Sequence, residues 1–362
     1  MLRSREESFH FSQSGGVVQR HTSQFTVNAL GHARQHFAGA AFGEHLHALR
    51  AQGRAIAEAR LNYPRDRQHY LSGFVLNAAN AAVEWPRIDA AASEAVALGV
   101  ADTAAAAFAM QLRDNGQAFE SVGTSGVITF CMDQPDFEAG FLNRHHVYPN
   151  RWLAHGAMST LGGSFGWLQS KVWPEVKSLA ELERLAQESL PGANGLIFLP
   201  YLAGERSPIW DSEASAAWIG LRLGHTRGDM IRAVFEGTAF GLRQIMGLAE
   251  NKWGLKPKRM VGVGGGSHSR FWAQIKADIL CLEYGTTEFQ DAGALGAALL
   301  GAIAGDHFSG LEDPALPSVK ISSQWIKPSS AHKQEIYQRH FEIFTRLYPV
   351  LATSMHELGQ KA

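Results

Sequence analysis

The sequence predicts an α/β fold. Downstream of Ala95, short apolar segments typical of strands alternate with segments in which apolar residues recur at helical spacing. The clearest unit is the apolar run Met260–Val263, which leads into the glycine run Gly264–Gly266 and then into a helical segment that begins near Ser269. We find no internal repeat and no low-complexity segment, so we expect these elements to form one α/β unit.

The composition excludes several classes of protein. Of the 362 residues, 45% are hydrophobic and 19% are charged, and the formal net charge is -1. A protein whose main partner is nucleic acid would carry a basic field that this sequence lacks. No apolar run is long enough to cross a bilayer, and the N-terminus has no signal-peptide core. We therefore expect a cytoplasmic protein that binds neither nucleic acid nor a membrane.

The first 94 residues differ in character from the rest. They hold seven of the 16 histidines, and they show neither clean strand alternation nor a spacing typical of metal ligands. We expect an irregular leader over residues 1–94 and a folded domain over residues 95–350.

The first helix of the domain is predicted in the alanine-rich segment ADTAAAAFAMQL, with Asp102 at its start. Aspartate is a preferred N-cap residue, so helix capping is the simplest role for Asp102. The segment alone does not separate this structural role from a chemical one.

Three glycine-containing turns follow along the chain. The first, Gly123–Gly126, lies between alternating apolar segments and predicts a hairpin whose N–H groups and Thr124 hydroxyl could face a phosphate. The second, Gly162–Gly163, separates a strand from a helix that begins at about Ser164. The third is the run Gly264–Gly266. Its glycines permit close approach of a ligand, but many such turns need glycine for tight geometry alone, so both interpretations stay open.

The other helices are predicted from their apolar spacing. Thr226 and Asp229 form the pattern of a capping box ahead of a long core helix, and residues 292–304 form a helix of small residues that can pack closely on a neighbour. The last helix is expected over about Ala331–Leu347. The side chains predicted to be buried include Leu179, Leu182, Leu185, Leu190, Phe271, Ile275, Ile279, Leu282 and the thiols of Cys131 and Cys281.

The loop AGERSPIWD carries Glu205, Arg206 and Asp211. Charged side chains in loops are usually solvated, and we expect the same here. We assign no chemistry to Arg206 and Asp211, and expect them to shape a cleft or the domain packing.

Taken in order, these motifs closely resemble the C-terminal half of the FGGY carbohydrate kinases. The motifs are the aspartate that heads an alanine-rich helix, then GTSG, GGSFGWL, LPYLAGERSPIWD, GGGSHSRFWAQIKADIL and DAGALGAALLGAI. They span about Gly99–Phe308, and LPYLAGERSPIWD is most similar to the xylulokinase and gluconokinase branches. The resemblance implies an actin-like (ribonuclease-H-like) ATPase domain, with a mixed sheet and flanking helices, that forms one side of a cleft for ATP and sugar.

The resemblance also implies roles for particular residues. Asp102 matches the family's catalytic aspartate, which would accept the proton of the attacking sugar hydroxyl and orient that hydroxyl towards the γ-phosphorus of ATP. ATP and Mg²⁺ would be the cofactors, and no metal ligand set is expected in the protein itself. The positions that match nucleotide contacts are Gly123 and Thr124 at the phosphates, Gly162 against the nucleotide, Gly265 and Gly266 beside the adenosine, and Ser269 near the base or ribose.

One part of the family pattern is missing. The N-terminal domain of the family opens with an Asp-Gly-Thr or Asp-Gly-Ser phosphate turn, and residues 1–94 hold no such motif. The chain therefore resembles a kinase C-terminal half behind an unrelated leader, as a truncated or rearranged reading frame would give. Because phosphoryl transfer depends on positioning and charge neutralisation, we expect weak nucleotide binding and little or no sugar kinase activity from this chain alone.

Three functions remain to be weighed. The first is ATP-dependent phosphorylation of a sugar hydroxyl on a substrate resembling xylulose or gluconate. The second is a non-catalytic remnant that binds nucleotide or a partner, as a homodimer or with a separate N-terminal half. The third, a Rossmann-type dehydrogenase, is suggested by VGVGGGS alone. It would need an acidic ribose partner about 20 residues further on, where Glu283 and Glu288 stand without ending an obvious second strand.

Overall fold

The structure is a computed structural model, and it describes residues 75–77, 96–98, 100–137, 140–287, 291–319, 321 and 324–359. The predictions made for the rest of residues 1–94 lie outside the described residues. Strand β1 (Val75–Asn77) falls within the predicted leader and pairs antiparallel with β2 (Val96–Leu98). The domain boundary at residue 94 stays a prediction.

Strands and helices alternate along the described chain, as the sequence predicts. The further strands are β3 (Ala118–Val122), β4 (Gly126–Met132), β5 (Leu142–His145), β6 (Trp152–Met158), β7 (Ile197–Leu199), β8 (Ala217–Ile219), β9 (Arg259–Val263) and β10 (Glu283–Thr286). The α-helices are α1 (Asp102–Ala109), α2 (Gly163–Trp167), α3 (Leu179–Gln187), α4 (Arg227–Trp253), α5 (Arg270–Leu280), α6 (Ala292–Ala304) and α7 (Ala331–Gly359). Short 3-10 turns cover Ala193–Gly195 and Gly265–His268, and a π-helical turn covers Leu168–Val172.

Six strands form one mixed sheet in the order β10–β9–β3–β4–β6–β5. Strands β3, β4, β6 and β5 are joined by antiparallel pairing, whereas β9 and β10 run parallel to β3. Because β6 is antiparallel to β4, it points in the same direction as β3. The carboxyl ends of β3, β6, β9 and β10 therefore lie at one edge of the sheet, which we call the carboxyl edge. Strands β7 and β8 form a separate antiparallel pair.

Helices cover both faces of this sheet. Helices α1 and α6 share one core with Phe119 of β3 and Leu153 of β6. Helices α4 and α5 share the other core with Phe130 of β4 and Ala154 of β6. Neighbouring residues of a strand point to opposite faces, and Leu153 and Ala154 accordingly belong to different cores.

Helices α1 and α6 approach each other closely because α6 carries glycine at the contact. A Cβ atom on Gly296 would overlap the carbonyl oxygen of Ala105, and a Cβ on Gly293 would lie 3.2 Å from the carbonyl oxygen of Asp102. The partners advance together along both helices, so α1 and α6 run parallel and their N-termini adjoin. This contact confirms the prediction that the small-residue helix packs closely on a neighbour.

The capping box of α4 is also confirmed. The Thr226 hydroxyl accepts a hydrogen bond from the Asp229 N–H, while the Asp229 carboxylate accepts one from the Thr226 N–H at 2.7 Å. This reciprocal pair satisfies backbone donors that a helix N-terminus otherwise leaves free.

Several predicted side-chain positions are wrong for identifiable reasons. Leu190 is 67% exposed because α3 ends at Gln187, before the spacing reaches it. Cys281 is exposed because it is the left-handed C-cap residue that ends α5. The stripe of α5 is turned slightly, so that Trp272 is buried and Phe271 is half-buried.

The last helix is longer than predicted. Helix α7 continues through Pro349 to Gly359, well past Leu347. Leu351 packs against the core and Met355 is buried, so tertiary contacts support the extra turns. Within the part of the chain that the structure describes, no helix combines the length and apolarity needed to cross a membrane.

Candidate functional site

Three turns meet at the carboxyl edge of the sheet. We call them the hairpin turn (Gly123–Ser125, between β3 and β4), the second turn (Thr160–Gly163, after β6) and the glycine run (Gly264–Gly266, after β9). Each follows or joins strands whose ends lie at this edge, so the topology of the sheet brings them together. Ligands of α/β proteins commonly bind at such an edge, outside the carboxyl ends of the strands.

The hairpin turn and the second turn are held together by backbone hydrogen bonds. The N–H of Gly162 donates to the carbonyl oxygen of Gly123 at 3.0 Å, and the N–H groups of Leu161 and Gly163 donate to that of Thr124 at 2.8 and 2.9 Å. A Cβ on Gly162 would lie 2.5 Å from the Gly123 oxygen. Gly162 is therefore required for the close contact itself, whatever ligand lies outside it.

The glycine run packs against the end of β3. Gly264 has φ of +94°, and a Cβ there would lie 2.8 Å from the carbonyl oxygen of Val122. A Cβ on Gly266 would lie 2.6 Å from a methyl group of Val122 and 3.2 Å from the ring of Trp272. Since Val122 leads directly into the hairpin turn, the two turns share one support.

The outer side of these turns is open. Gly123, Thr124 and Gly265 are exposed, and a Cβ on Gly265 would have no atom within 4 Å. The space beside Gly265 can therefore take a ligand that approaches the backbone closely.

Ser269 lies beyond the glycine run, where it is the N-cap of α5. Its side chain is buried, and its hydroxyl oxygen accepts a hydrogen bond from the N–H of Trp272 at 2.9 Å. This bond gives Ser269 a structural role, and a further role beside the base or ribose stays a prediction.

Asp102 is placed by α1 and α6. It is the first residue of α1 rather than the N-cap, which is Ala101, so the capping interpretation is wrong. Its exposed carboxylate accepts hydrogen bonds from the N–H of Thr103 at 2.7 Å and from the Thr103 hydroxyl at 3.0 Å. The N-terminus of α6 adjoins it through Gly293. The partial positive charge of the α1 N-terminus favours the Asp102 carboxylate, whereas the N-terminus of α6 is capped by the Asp291 carboxylate, which accepts a hydrogen bond from the Ala294 N–H at 2.8 Å.

The position of Asp102 relative to the turns follows from the topology. Helix α6 begins shortly after β10 ends, and the end of β10 lies at the carboxyl edge. Asp102, beside the start of α6, is thus on the side of the domain where the three turns lie. The structure joins Gly123, Thr124, Gly162 and the glycine run by direct contacts, whereas the contact it gives Asp102 is with Gly293 of α6.

The loop that carries Glu205 departs from its prediction. Glu205 is 4% exposed, and one of its carboxylate oxygens accepts hydrogen bonds from the N–H groups of Ser159 at 2.6 Å and Arg206 at 2.8 Å. Burial raises the pKa of the Glu205 carboxyl to about 7, although these hydrogen bonds act in the opposite direction. The expectation of a solvated loop charge is therefore wrong for Glu205.

The two other charges of this loop also have protein partners. Arg206 donates to the carbonyl oxygen of Met158 at 2.9 Å. The Asp211 carboxylate accepts hydrogen bonds from the Tyr348 hydroxyl and, at 2.6 Å, from Nε2 of His356, both on α7. The loop thus links the end of β6 to the last helix, which agrees with a packing role for Arg206 and Asp211.

A buried ion pair beneath the glycine run was missed by the sequence reasoning. Lys276 of α5 and Glu120 of β3 form a 2.6 Å salt bridge, and the Tyr284 hydroxyl donates to the same carboxylate. Burial lowers the pKa of the Lys276 ammonium. Gly262 makes room for this cluster, because a Cβ there would overlap the Tyr284 hydroxyl. The signal in the sequence is that Lys276 falls beside Trp272 and Ile275 on the apolar stripe of α5.

The dehydrogenase interpretation does not fit this arrangement. The sheet is mixed, with the antiparallel strands β4, β6 and β5 on one side of β3, whereas a dinucleotide-binding unit is a doubly wound parallel sheet. Glu283 begins β10 at the opposite edge and pairs with Arg259 at 2.6 Å. Glu288 lies outside the described residues. Among the side chains that the structure describes, no group of three or more His, Cys, Asp or Glu residues is placed to hold a metal ion.

Comparison with known families gives two matches. The FGGY family of carbohydrate kinases, C-terminal domain, matches residues 118–305. The non-contractile tail sheath protein TIM barrel matches residues 42–116. Of the second range the structure describes β1, β2, α1 and the segment after it, and these elements form no barrel.

Similar proteins cover the same part of the chain. The xylulose kinase of Staphylococcus epidermidis is 30% identical over 256 residues, which are 70% of this chain and 51% of that protein. The solved structures include a ligand-bound xylulose kinase and a gluconate kinase, both from Lactobacillus acidophilus, at 28% and 27% identity. Each has a TM-score of 0.66 and aligns over 74% of this chain and 54% of its own. These likenesses and the mixed sheet confirm the actin-like fold class. The chain spans about half the length of the curated relatives that it matches.

Proposed function

The chain belongs to the FGGY family of carbohydrate kinases, and on that premise we propose that its described domain is the nucleotide-binding half of an enzyme that phosphorylates a sugar hydroxyl. The observation that carries the proposal is the meeting of three glycine turns at one edge of the sheet, with an open outer side. The similar proteins are named xylulose kinase and gluconate kinase, so a ketose or an aldonate is the proposed substrate class.

In this proposal the turns hold ATP by its phosphates and its adenosine. Thr124 offers an exposed hydroxyl for the phosphates, and Gly123, whose N–H donates to the carbonyl oxygen of Ser125 at 3.1 Å, lies beside it in the same exposed turn. Gly162 keeps the second turn close beneath them. The open backbone at Gly265, with Gly266 and Ser269 behind it, accepts the adenosine. The absence of a side chain at Gly265 fits a flat ligand that lies against the main chain.

Asp102 supplies the proton acceptor. ATP contributes the transferable phosphoryl group, and Mg²⁺ accompanies its phosphates. The exposed Asp102 carboxylate has one oxygen engaged by Thr103 and is free to orient a sugar hydroxyl with the other. An ionised carboxylate is a modest base, which is sufficient for a loose transition state that needs little early deprotonation. A homodimer or a separate N-terminal half as partner is part of the same proposal.

The test is phosphoryl transfer by the full chain. Mg·ATP is incubated with xylulose, gluconate or glycerol, and sugar phosphates are measured by mass spectrometry. We expect slow, sugar-dependent transfer that falls by about a hundredfold or more in Asp102→Asn, because a positioned general base contributes at least that much. The control is Asp114→Asn, which changes an exposed aspartate ahead of β3 at the opposite edge of the sheet.

The outcomes distinguish the sugar kinase from the non-catalytic, nucleotide-binding remnant that the sequence analysis left as its alternative. Product that depends on Asp102 supports a sugar kinase, and rapid turnover would contradict the expectation of low activity. Binding of ADP without product from any sugar would favour the non-catalytic alternative. Product that is unchanged in Asp102→Asn would remove Asp102 from the proposed site.

A further inference from the structure

The loop Ala203–Asp211, which we call the charged loop, is hydrogen-bonded to the end of β6. The Ser207 N–H donates to the carbonyl oxygen of Ala157 at 2.9 Å, and the side chains of Glu205 and Arg206 bind the next peptide group, between Met158 and Ser159. The N–H of this group, on Ser159, donates to the Glu205 carboxylate at 2.6 Å. Its C=O, on Met158, accepts a hydrogen bond from the Arg206 guanidinium at 2.9 Å. Two adjacent side chains of opposite charge thus fix both polar atoms of one peptide.

That peptide lies directly ahead of the second turn. Thr160 follows directly, and Leu161 and Gly162 then donate their N–H groups to the hairpin turn. A change in the direction of the Met158–Ser159 peptide would move these donors relative to Gly123 and Thr124. The hydrogen bonds of the charged loop to this peptide are therefore connected, through Thr160, to the bonds that join the second turn to the hairpin turn.

The carboxylate of Glu205 is held under conditions that oppose its charge. Its second oxygen, Oε2, is buried and has no hydrogen-bond partner among the described residues. The titratable or charged groups that face it or adjoin it are Arg206 and Asp211 on the loop, Tyr201 after β7, and Tyr348 and His356 on α7. Arg206 favours the ionised form, whereas burial favours the protonated form and raises the pKa to about 7.

We propose that Glu205 is a positioning residue for the nucleotide turns, and that its change from protonated to ionised tightens the hold on the Met158–Ser159 peptide and with it the binding of nucleotide. The inference rests on the proposed function of the same turns. An ionised carboxylate accepts N–H groups in shorter and stronger hydrogen bonds than a neutral carboxyl group does. The Ser159 donor, and the second turn behind it, are therefore more firmly placed when Glu205 carries its charge.

Because the ionised form of Glu205 holds the peptide more firmly, nucleotide affinity is expected to rise with pH. Below pH 7 Glu205 is mostly protonated, the peptide is held by weaker hydrogen bonds, and nucleotide affinity is lower. As the pH rises through 7 the carboxylate forms, and the affinity rises to its upper plateau. Glu205→Gln keeps a carbonyl oxygen for both N–H donors but cannot ionise, so it imitates the protonated state at every pH.

The experiment is calorimetric titration of the full chain with Mg·ADP at pH 6, 7 and 8. We expect the wild-type chain to bind about tenfold more tightly than Glu205→Gln at pH 8, the ratio typical of a charge-assisted against a neutral hydrogen bond, and to lie within about twofold of it at pH 6. The control Glu213→Gln changes an exposed carboxylate of the same region and is expected to follow the wild type. The comparison at each pH cancels the protonation of ADP itself.

A second measurement tests positioning without a nucleotide. Hydrogen–deuterium exchange at pH 8 is followed in the peptide that contains residues 159–163. Exchange is expected to be faster in Glu205→Gln than in the wild type, and unchanged in Glu213→Gln. The same comparison at pH 6 should show no difference between Glu205→Gln and the wild type. A merely structural role for Glu205 would change the exchange rate of Glu205→Gln relative to the wild type by the same factor at pH 6 and at pH 8.

The outcomes distinguish this inference from the function on which it rests. Binding by the wild type with the same pH profile as Glu205→Gln would overturn the inference and leave the proposed function intact. No Mg·ADP binding by the wild type at any pH would overturn both. A tighter-binding Glu205→Gln at pH 8 would reverse the sign that we derive and would likewise overturn the inference.

Discussion

The glycines of α6 and the glycines of the carboxyl-edge turns meet different surroundings. Gly296 faces the backbone of α1 so closely that a Cβ would overlap the Ala105 oxygen. Gly265 faces open space, with no atom within 4 Å of a Cβ. The fold accounts fully for the first glycine and gives no packing reason for the second.

An open glycine is not by itself the sign of a ligand. Gly224, in the connection between β8 and α4, is as open as Gly265. What distinguishes Gly265 is its place between Gly264 and Gly266, both of which are held against Val122. A fixed backbone on either side of an open position is the arrangement that a ligand needs, and this contrast yields three tests.

The largest effect is expected at the closed contact between α1 and α6. Gly296→Ala should lower the free energy of unfolding by about 3 kcal/mol, because the new methyl group meets backbone that cannot move independently. Gly293→Ala, three residues earlier on the same helix, is the matched control. Its Cβ would lie 3.2 Å from the carbonyl oxygen of Asp102. The substitution should therefore destabilise the protein little, and the better helix propensity of alanine should offset that cost. Urea unfolding of both variants measures the difference, and equal costs would contradict the closed contact.

A smaller effect is expected where the hairpin turn meets the second turn. Gly162→Ala should cost about 1–2 kcal/mol, since its Cβ would lie 2.5 Å from the Gly123 oxygen but both turns are at the surface and can shift. The shift should weaken Mg·ADP binding more than it weakens the fold. Gly247→Ala, on α4, is the control, because a Cβ there would have no atom within 4 Å. If Gly162→Ala keeps full affinity, the contact between the turns has no part in binding.

Much of this contrast could be predicted from the sequence. Short local sequence patterns predict the hairpin turn, the glycine run and the capping box of Thr226 and Asp229, because each of these features depends on the backbone geometry of a few neighbouring residues. The alternation of apolar segments likewise predicts the order of strands and helices. The close packing of residues 292–304 was expected as well, since small residues leave room for another backbone.

Other features depend on contacts between distant parts of the chain. The burial of Glu205 requires the charged loop to fold back on Ser159, and nothing in AGERSPIWD specifies that return. Glu120 and Lys276 are 156 residues apart, and their salt bridge exists because β3 lies beneath α5. Cys281 is exposed because it adopts a left-handed conformation at the end of α5, whereas the apolar residues around it in the sequence predict a buried thiol. The side-chain pattern of one segment predicts its own secondary structure, but it does not predict which distant segment will pack against it.

The smallest effect on the fold and the most direct test of the account are expected at Gly265. The measurement is calorimetric titration with Mg·ADP of the full wild-type chain, of Gly265→Asp, and of Gly224→Asp as the control that adds the same charge at an equally open glycine. Both variants should keep the free energy of unfolding within about 0.5 kcal/mol of the wild type. The account predicts micromolar binding by the wild type and by Gly224→Asp, and no detectable binding by Gly265→Asp, because the aspartate side chain would occupy the open space that the adenosine is proposed to take. Equal affinity in all three proteins, or no binding by the folded wild type, would contradict the nucleotide site at the carboxyl edge.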